Sequence, residues 1–85
     1  MKTITIYKTP TCGFCKMLKA FLDSQSIEYV QRDVVESSDA RDDLFELVPG
    51  NMSVPVIVLN KGKKDQEILI GFDQEKLEAA LGLDG

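Results

Sequence analysis

The longest stretch of the chain without a polar side chain is Val54-Pro55-Val56-Ile57-Val58-Leu59. A nearly continuous apolar β run of this kind suits a central strand buried on both faces. Which elements cover those two faces is read from the rest of the chain. At 85 residues the chain has room for one such core, and residues 1–85 are read as a single domain. Apolar residues make up 44% and charged residues 28%, the balance of a folded globule rather than of a disordered chain.

The remaining segments supply the layers. Residues 2–7 alternate polar and apolar, with Ile4 and Ile6 on one face, and read as a strand. Phe14, Met17, Leu18, Phe21 and Leu22 form an apolar stripe at helical spacing, which predicts a helix running to about Ser24. Residues 27–33 read as a second strand. Ser37 or Ser38 caps a second helix that buries Ala40, Leu44, Leu47 and Val48 and stops at Pro49-Gly50. Beyond the apolar run, Asn60-Lys61-Gly62-Lys63 reads as a hairpin turn into a paired strand, Glu67-Ile68-Leu69-Ile70. Asp73 caps a last helix with Leu77, Ala80 and Leu81 facing inward and Phe72 and Leu77 set as a hydrophobic staple. The order β-α-β-α-β-β-α predicts a thioredoxin-like α/β fold, a four-stranded mixed sheet flanked by three helices.

Composition removes whole classes of chemistry. The chain has no histidine, which excludes Cys-His and Ser-His nucleophiles and His-ligated zinc. A net charge of −4 argues against nucleic-acid binding, which needs a basic face. No apolar run approaches the ~20 residues of a membrane span. The N-terminal residues lack the apolar core of a signal peptide, so a cytosolic location is expected. The charge is uneven, with five basic and two acidic groups in residues 1–32 against one basic and six acidic in residues 33–46. That acidic block reads first as a solvated helix face and second as a docking patch for a basic partner.

The chemistry centres on Cys12-Gly13-Phe14-Cys15, between a predicted strand and the first turn of a predicted helix. Two cysteines without histidine cannot complete a zinc site, so no metal is expected. Cys12 falls at or near the helix N-cap, where unpaired N–H groups and the helix dipole stabilise a thiolate. Lys8 and Lys16 add to this if they point toward the sulfur. Cys15 lies one turn on, within reach of Cys12 but deeper. That arrangement is a nucleophile with a resolving thiol: Cys12 forms a mixed disulfide with substrate and Cys15 releases the reduced product. A merely structural disulfide is the weaker reading, because closing so short a loop removes only about 2 kcal/mol of chain entropy and a reducing compartment opposes it. Val54-Pro55 is a second signal, since a proline at the head of a central strand needs a reason. A cis bond there would turn the Val54 backbone toward the cysteines, to pair with an extended substrate. Gly71-Phe72-Asp73 is a third, offering a close-approach backbone and helix N–H groups for a carboxylate. Phe14 is expected exposed at the motif, either packing on substrate or opening the core stripe.

Together these motifs resemble the glutaredoxin family over essentially the whole chain. Thr11-Cys12-Gly13-Phe14-Cys15 is similar to its dithiol site, Ser53-Val54-Pro55 to its Thr-Val-Pro with a cis proline, and Ile70-Gly71-Phe72-Asp73 to the Gly-Phe-Asp of small bacterial glutaredoxin-like proteins. The resemblance implies a disulfide oxidoreductase with Cys12 as nucleophile and Cys15 as resolving thiol. It implies that Val54 and Pro55 meet the peptide backbone of glutathione and that Gly71, Phe72 and Asp73 meet its γ-glutamyl end, with Lys8, Thr11 and Phe14 completing the site. Its partners would be a disulfide-containing protein or a glutathione mixed disulfide, with no bound cofactor, glutathione as possible co-substrate, and a monomeric state. The chain departs from the family pattern where Thr9 and Asn51 replace common basic residues and Phe72 replaces a second glycine. A neighbouring family of small redoxins, reduced by thioredoxin reductase and serving ribonucleotide reductase, also carries Gly-Phe before the last helix and stands as the alternative. Cys12-Gly13-Phe14 is similar as well to the start of the Cys-Gly-Phe-Ser motif of iron–sulfur-binding monothiol glutaredoxins, with Cys15 in place of the serine.

Overall fold

The protein is described here in a computed structural model covering residues 3–51 and 53–82. Its elements are β1 (Ile4–Lys8), α1 (Gly13–Ser24), β2 (Val30–Asp33), α2 (Ser38–Leu47), β3 (Val56–Leu59), β4 (Glu67–Ile70) and α3 (Gln74–Leu81). The strands form one sheet in the order β2-β1-β3-β4. β1 runs parallel to β2 and antiparallel to β3, and β4 is antiparallel to β3, so the sheet is mixed. This is the expected thioredoxin-like arrangement.

The apolar run forms the centre. Every residue of β3 is buried, and its side chains alternate between two cores. Ile57 and Leu59 join Ile4, Ile6, Leu18, Leu22 and Leu77 on the face covered by α1 and α3. Val56 and Val58 join Tyr7, Ala40 and Leu44 on the face covered by α2. Each fully buried aliphatic side chain contributes roughly 1.5–3 kcal/mol, so the two-sided burial of a single short strand organises the domain.

Helix ends follow the local code. The Ser37 hydroxyl accepts the Ala40 N–H at 3.2 Å and the Asp73 carboxylate accepts the Lys76 N–H at 3.2 Å, so both expected caps are in place. Ser37, rather than Ser38, is the cap of α2. Phe72 and Leu77 meet in the same core cluster, as a staple requires.

Three expectations need correction. The strand expected over residues 27–33 begins only at Val30. Ser26 takes a left-handed φ of 56°, and the Ser26 and Ile27 N–H groups bond back to the carbonyls of Asp23 and Leu22 at 3.1 and 3.0 Å. These are the paired bonds of a Schellman end to α1, so the Ile27 N–H is occupied before any ladder starts. The turn expected at residues 60–63 is a longer connection over residues 60–66. Its anchor is Asn60, 6% exposed, whose side chain accepts from Thr3 N–H at 3.1 Å and donates to Asp65 at 2.9 Å. Finally, the α1 stripe is narrower than its sequence pattern. Leu18 and Leu22 are fully buried, but Met17 is 56% exposed, while Phe14, 62% exposed, stands open at the motif as expected.

A charged cluster ties α2 across the sheet. The Asp43 carboxylate accepts hydrogen bonds from Arg32 on β2 and from Lys61 beyond β3, the latter at 3.1 Å. Both cations lie over the Tyr7 ring, 5.8 and 5.9 Å from its centre. These hydrogen bonds, from Lys61 first and Arg32 second, hold the Asp43 carboxyl below the ordinary carboxylate range.

Candidate active site

β1 ends at Lys8 and α1 begins at Gly13, so the intervening turn delivers Cys12 to the N-cap of α1. Cys12 has the extended backbone of a cap, φ −81° and ψ 112°, and its sulfur accepts the Cys15 N–H at 3.1 Å. A sulfur in this position faces the unpaired N–H groups at the positive end of the helix dipole. The Cys12 and Cys15 sulfurs are joined as a disulfide, with Cα atoms 5.2 Å apart. The pair is asymmetric: Cys15 is only 7% exposed, whereas Cys12 is half-buried and open to an incoming group.

Two clefts meet at the turn that carries the pair, and a third lies at the start of α3. The first, about 190 Å³, is lined by both cysteines together with Lys8, Lys16, Lys19 and Gln31, and reaches Thr9 and Pro10. The Lys8 ammonium lies 3.9 Å from Asp33, its ladder neighbour on β2. The second, about 320 Å³, is an apolar groove whose walls include Thr9, Val35, Arg41, Phe45, Asn51 and Val54. Thr9 borders both. The third, about 300 Å³, contains Gly71, Asp73 and Lys76 at the start of α3.

The residues singled out in the sequence distribute among these clefts. Lys8 lies with Cys12 and Cys15 in the first. Val54, half-buried, lies in the second and leads through a cis peptide bond to the buried Pro55. The Pro55 carbonyl accepts the Gly71 N–H at 2.7 Å, which joins the proline corner to the Gly71–Asp73 segment. Gly71 has φ 81°, a conformation that side-chain-bearing residues rarely adopt. Phe72 packs its ring 6.1 Å from Phe21 in the core, and the Asp73 carboxylate is engaged as the cap of α3. Thr11 and Phe14 are exposed beside the cysteines. Sequence reasoning missed Lys19, Gln31, Arg41 and Phe45. Only Lys19 carried a local signal: positions 12, 16 and 19 share one helix face, so Cys12, Lys16 and Lys19 make a continuous ridge.

Known proteins resemble the chain in both sequence and fold. The family model described as Glutaredoxin matches residues 4–63. An uncharacterized glutaredoxin-like 8.6 kDa protein in the rubredoxin operon of Clostridium pasteurianum is 33% identical over 88% of this chain and 92% of its own length. A glutaredoxin of Neisseria meningitidis serogroup A is 29% identical over 100% of this chain and 95% of its own. Among solved structures, a mutant of the thioredoxin-like protein BC3987 superposes with a TM-score of 0.82 at 31% identity, covering 99% of this chain and 100% of that one.

Proposed function

The chain belongs to the glutaredoxin family, and we propose that within it the protein reduces protein disulfides or glutathione mixed disulfides, with Cys12 attacking and Cys15 resolving. The coarser chemistry, thiol–disulfide exchange at a cysteine pair, follows from the family and from the joined sulfurs. The observation that carries the finer reading is the capping of α1 by the Cys12 sulfur, which accepts the Cys15 N–H at 3.1 Å while Cys15 stays 7% exposed.

The steps follow from that asymmetry. In the reduced protein the more open Cys12 thiolate is stabilised by the helix N–H groups and attacks one sulfur of the substrate. The substrate disulfide breaks, one substrate thiolate leaves and takes up a proton, and Cys12 is held in a mixed disulfide. The Cys15 thiol loses its proton and attacks the Cys12 sulfur, which releases the second substrate thiol and forms the Cys12–Cys15 disulfide. Two electrons have then passed from the protein to the substrate. Two glutathione molecules, or a thioredoxin reductase, return them.

An extended substrate would pair with the Val54 backbone beside Cys12, with glutathione's γ-glutamyl end toward Gly71, Phe72 and Asp73. The joining of these segments by the Gly71–Pro55 hydrogen bond supports this assignment. A second reading, a thioredoxin-reductase-coupled redoxin serving ribonucleotide reductase, is favoured by the apolar groove that shares Thr9 with the cysteine cleft, where Val35 and Phe45 are 60% and 62% exposed. Such a wall suits a protein surface better than a charged tripeptide.

NADPH oxidation with a disulfide substrate separates the two. Turnover with glutathione and glutathione reductase alone supports the first reading, and turnover with thioredoxin reductase alone supports the second. Cys12→Ser abolishes both, and Cys15→Ser accumulates a mixed disulfide detectable by intact mass. Retained turnover in Cys12→Ser would overturn the assignment of the nucleophile.

A further inference from the structure

We propose that the lysine-lined cleft beside the cysteines is a specificity site, which selects protein strands carrying acidic residues next to the disulfide to be reduced. This rests on the disulfide-reductase reading above. It adds a substrate class and a set of specificity residues, Lys16 and Lys19, outside the Val54–Pro55 and Gly71–Asp73 corner.

Lys8 comes from the end of β1, and Lys16 and Lys19 come from α1; all three line one cleft with both sulfurs. Lys8 faces Asp33 at 3.9 Å. Lys16 and Lys19 make no ion pair among the described residues, so the cleft keeps an excess of positive charge. Cys12, Lys16 and Lys19 stand at i, i+4 and i+7, so a chain whose cysteine meets Cys12 and which runs along α1 passes the two ammonium groups in turn. Gln31 on β2 also lines the cleft and contributes an uncharged amide.

The rest of the molecule sharpens this field. The chain has a net charge of −4, and five of its acidic groups (Glu36, Asp39, Asp42, Asp43 and Glu46) lie on or just before α2. α2 covers the face of the sheet opposite α1. An acidic partner is therefore repelled from the α2 side. Because α3 on the α1 face is also acidic (Asp73, Glu75 and Glu78 against Lys76), the attraction is confined to the lysine cleft beside the cysteines. Such a dipolar arrangement orients an encounter and raises its rate more than its final affinity. Each exposed pair formed in the cleft is worth about threefold, so two pairs give about three- to tenfold at low salt.

The test uses pre-reduced protein in single-turnover reactions, so that no external reductant enters the rate. Three disulfide-linked peptide pairs differ only in having Glu, Gln or Lys on both sides of the cysteine. The rate is expected to order Glu over Gln over Lys, with the Glu-to-Gln ratio about three- to tenfold at low ionic strength. Raising salt to roughly 0.5 M shortens the screening length to a few ångströms, and the ratio then falls toward one. In the Lys16→Gln, Lys19→Gln double variant the ratio also falls toward one at low salt. Because each ratio compares two peptides on the same protein, any change in Cys12 reactivity cancels. A wild-type ratio near one, or a ratio that survives in the double variant, overturns the proposal. It is overturned too if, in the double variant, reduction of glutathione disulfide slows relative to the Gln peptide pair as much as that of the Glu pair does, since the lysines would then serve glutathione's own carboxylates. If the Gln peptide pair is not reduced at all, the disulfide-reductase reading itself fails, a result distinct from loss of selectivity.

Discussion

Leu18 and Met17 are neighbours on α1 and belong to the same apolar stripe of the sequence, yet the fold treats them in opposite ways. Leu18 is 0% exposed and packs in the core with Ile57, Leu59 and Leu77, whereas Met17 is 56% exposed. Truncating Leu18 to alanine removes buried methyl groups and leaves a cavity, at a cost of about 2–5 kcal/mol. For a domain near this size each kcal/mol lowers the melting temperature by about 4–8 °C, so Leu18→Ala is expected to melt roughly 8–40 °C lower. Met17→Ala loses mainly solvated surface and should stay within about 0.5 kcal/mol of wild type. Thermal melts followed by far-UV circular dichroism, all with the Cys12–Cys15 pair held in one oxidation state, make the comparison. The cavity also lies one turn below Cys15, so the Leu18 variant should lose disulfide-reducing activity as it unfolds and not before. Equal losses of stability in the two variants would refute the burial argument. So would a Leu18→Ala melt within about 4 °C of wild type.

Asp73→Ala removes the α3 cap and is expected to cost about 1 kcal/mol in urea unfolding, with Asp73→Asn restoring most of it; equal losses in both would deny the capping role. A thiolate absorbance titration of the reduced Cys15→Ser variant should give Cys12 a midpoint below the ~8.5 of free cysteine, and a value at or above that would contradict stabilisation by the helix. Asp43 has a folded-state pKa below its unfolded value, so its contribution to stability is present above the ordinary carboxylate range and is lost as pH falls through the folded value. Asp43→Asn should accordingly narrow the gap between stability at pH 7 and at about pH 3, measured by chemical denaturation; an unchanged pH dependence would refute the linkage.

Sequence reasoning reached the parts of this protein that short-range physics sets. The apolar Val54–Leu59 segment announced a strand covered on both faces, and Val56–Leu59 is buried throughout. Ser37 and Asp73 announced caps because a side-chain oxygen needs only the N–H groups three residues on. The same logic put Cys12 at the N-cap of α1, since its place between a strand pattern and a helix stripe is a local property. Tertiary structure decided what depends on groups far apart in the chain. Periodicity names a helix face but not the width of the surface that covers it, so Met17 joined the stripe in sequence and solvent in the fold. Asn60 reads as a turn residue until Thr3 and Asp65 claim its side chain. Lys8, Lys16 and Lys19 are ordinary surface lysines until the β1–α1 turn folds them around the two sulfurs. Hydrogen bonds within a turn are written in neighbouring residues. Exposure and the meeting of charges are set by which distant segments the core brings side by side.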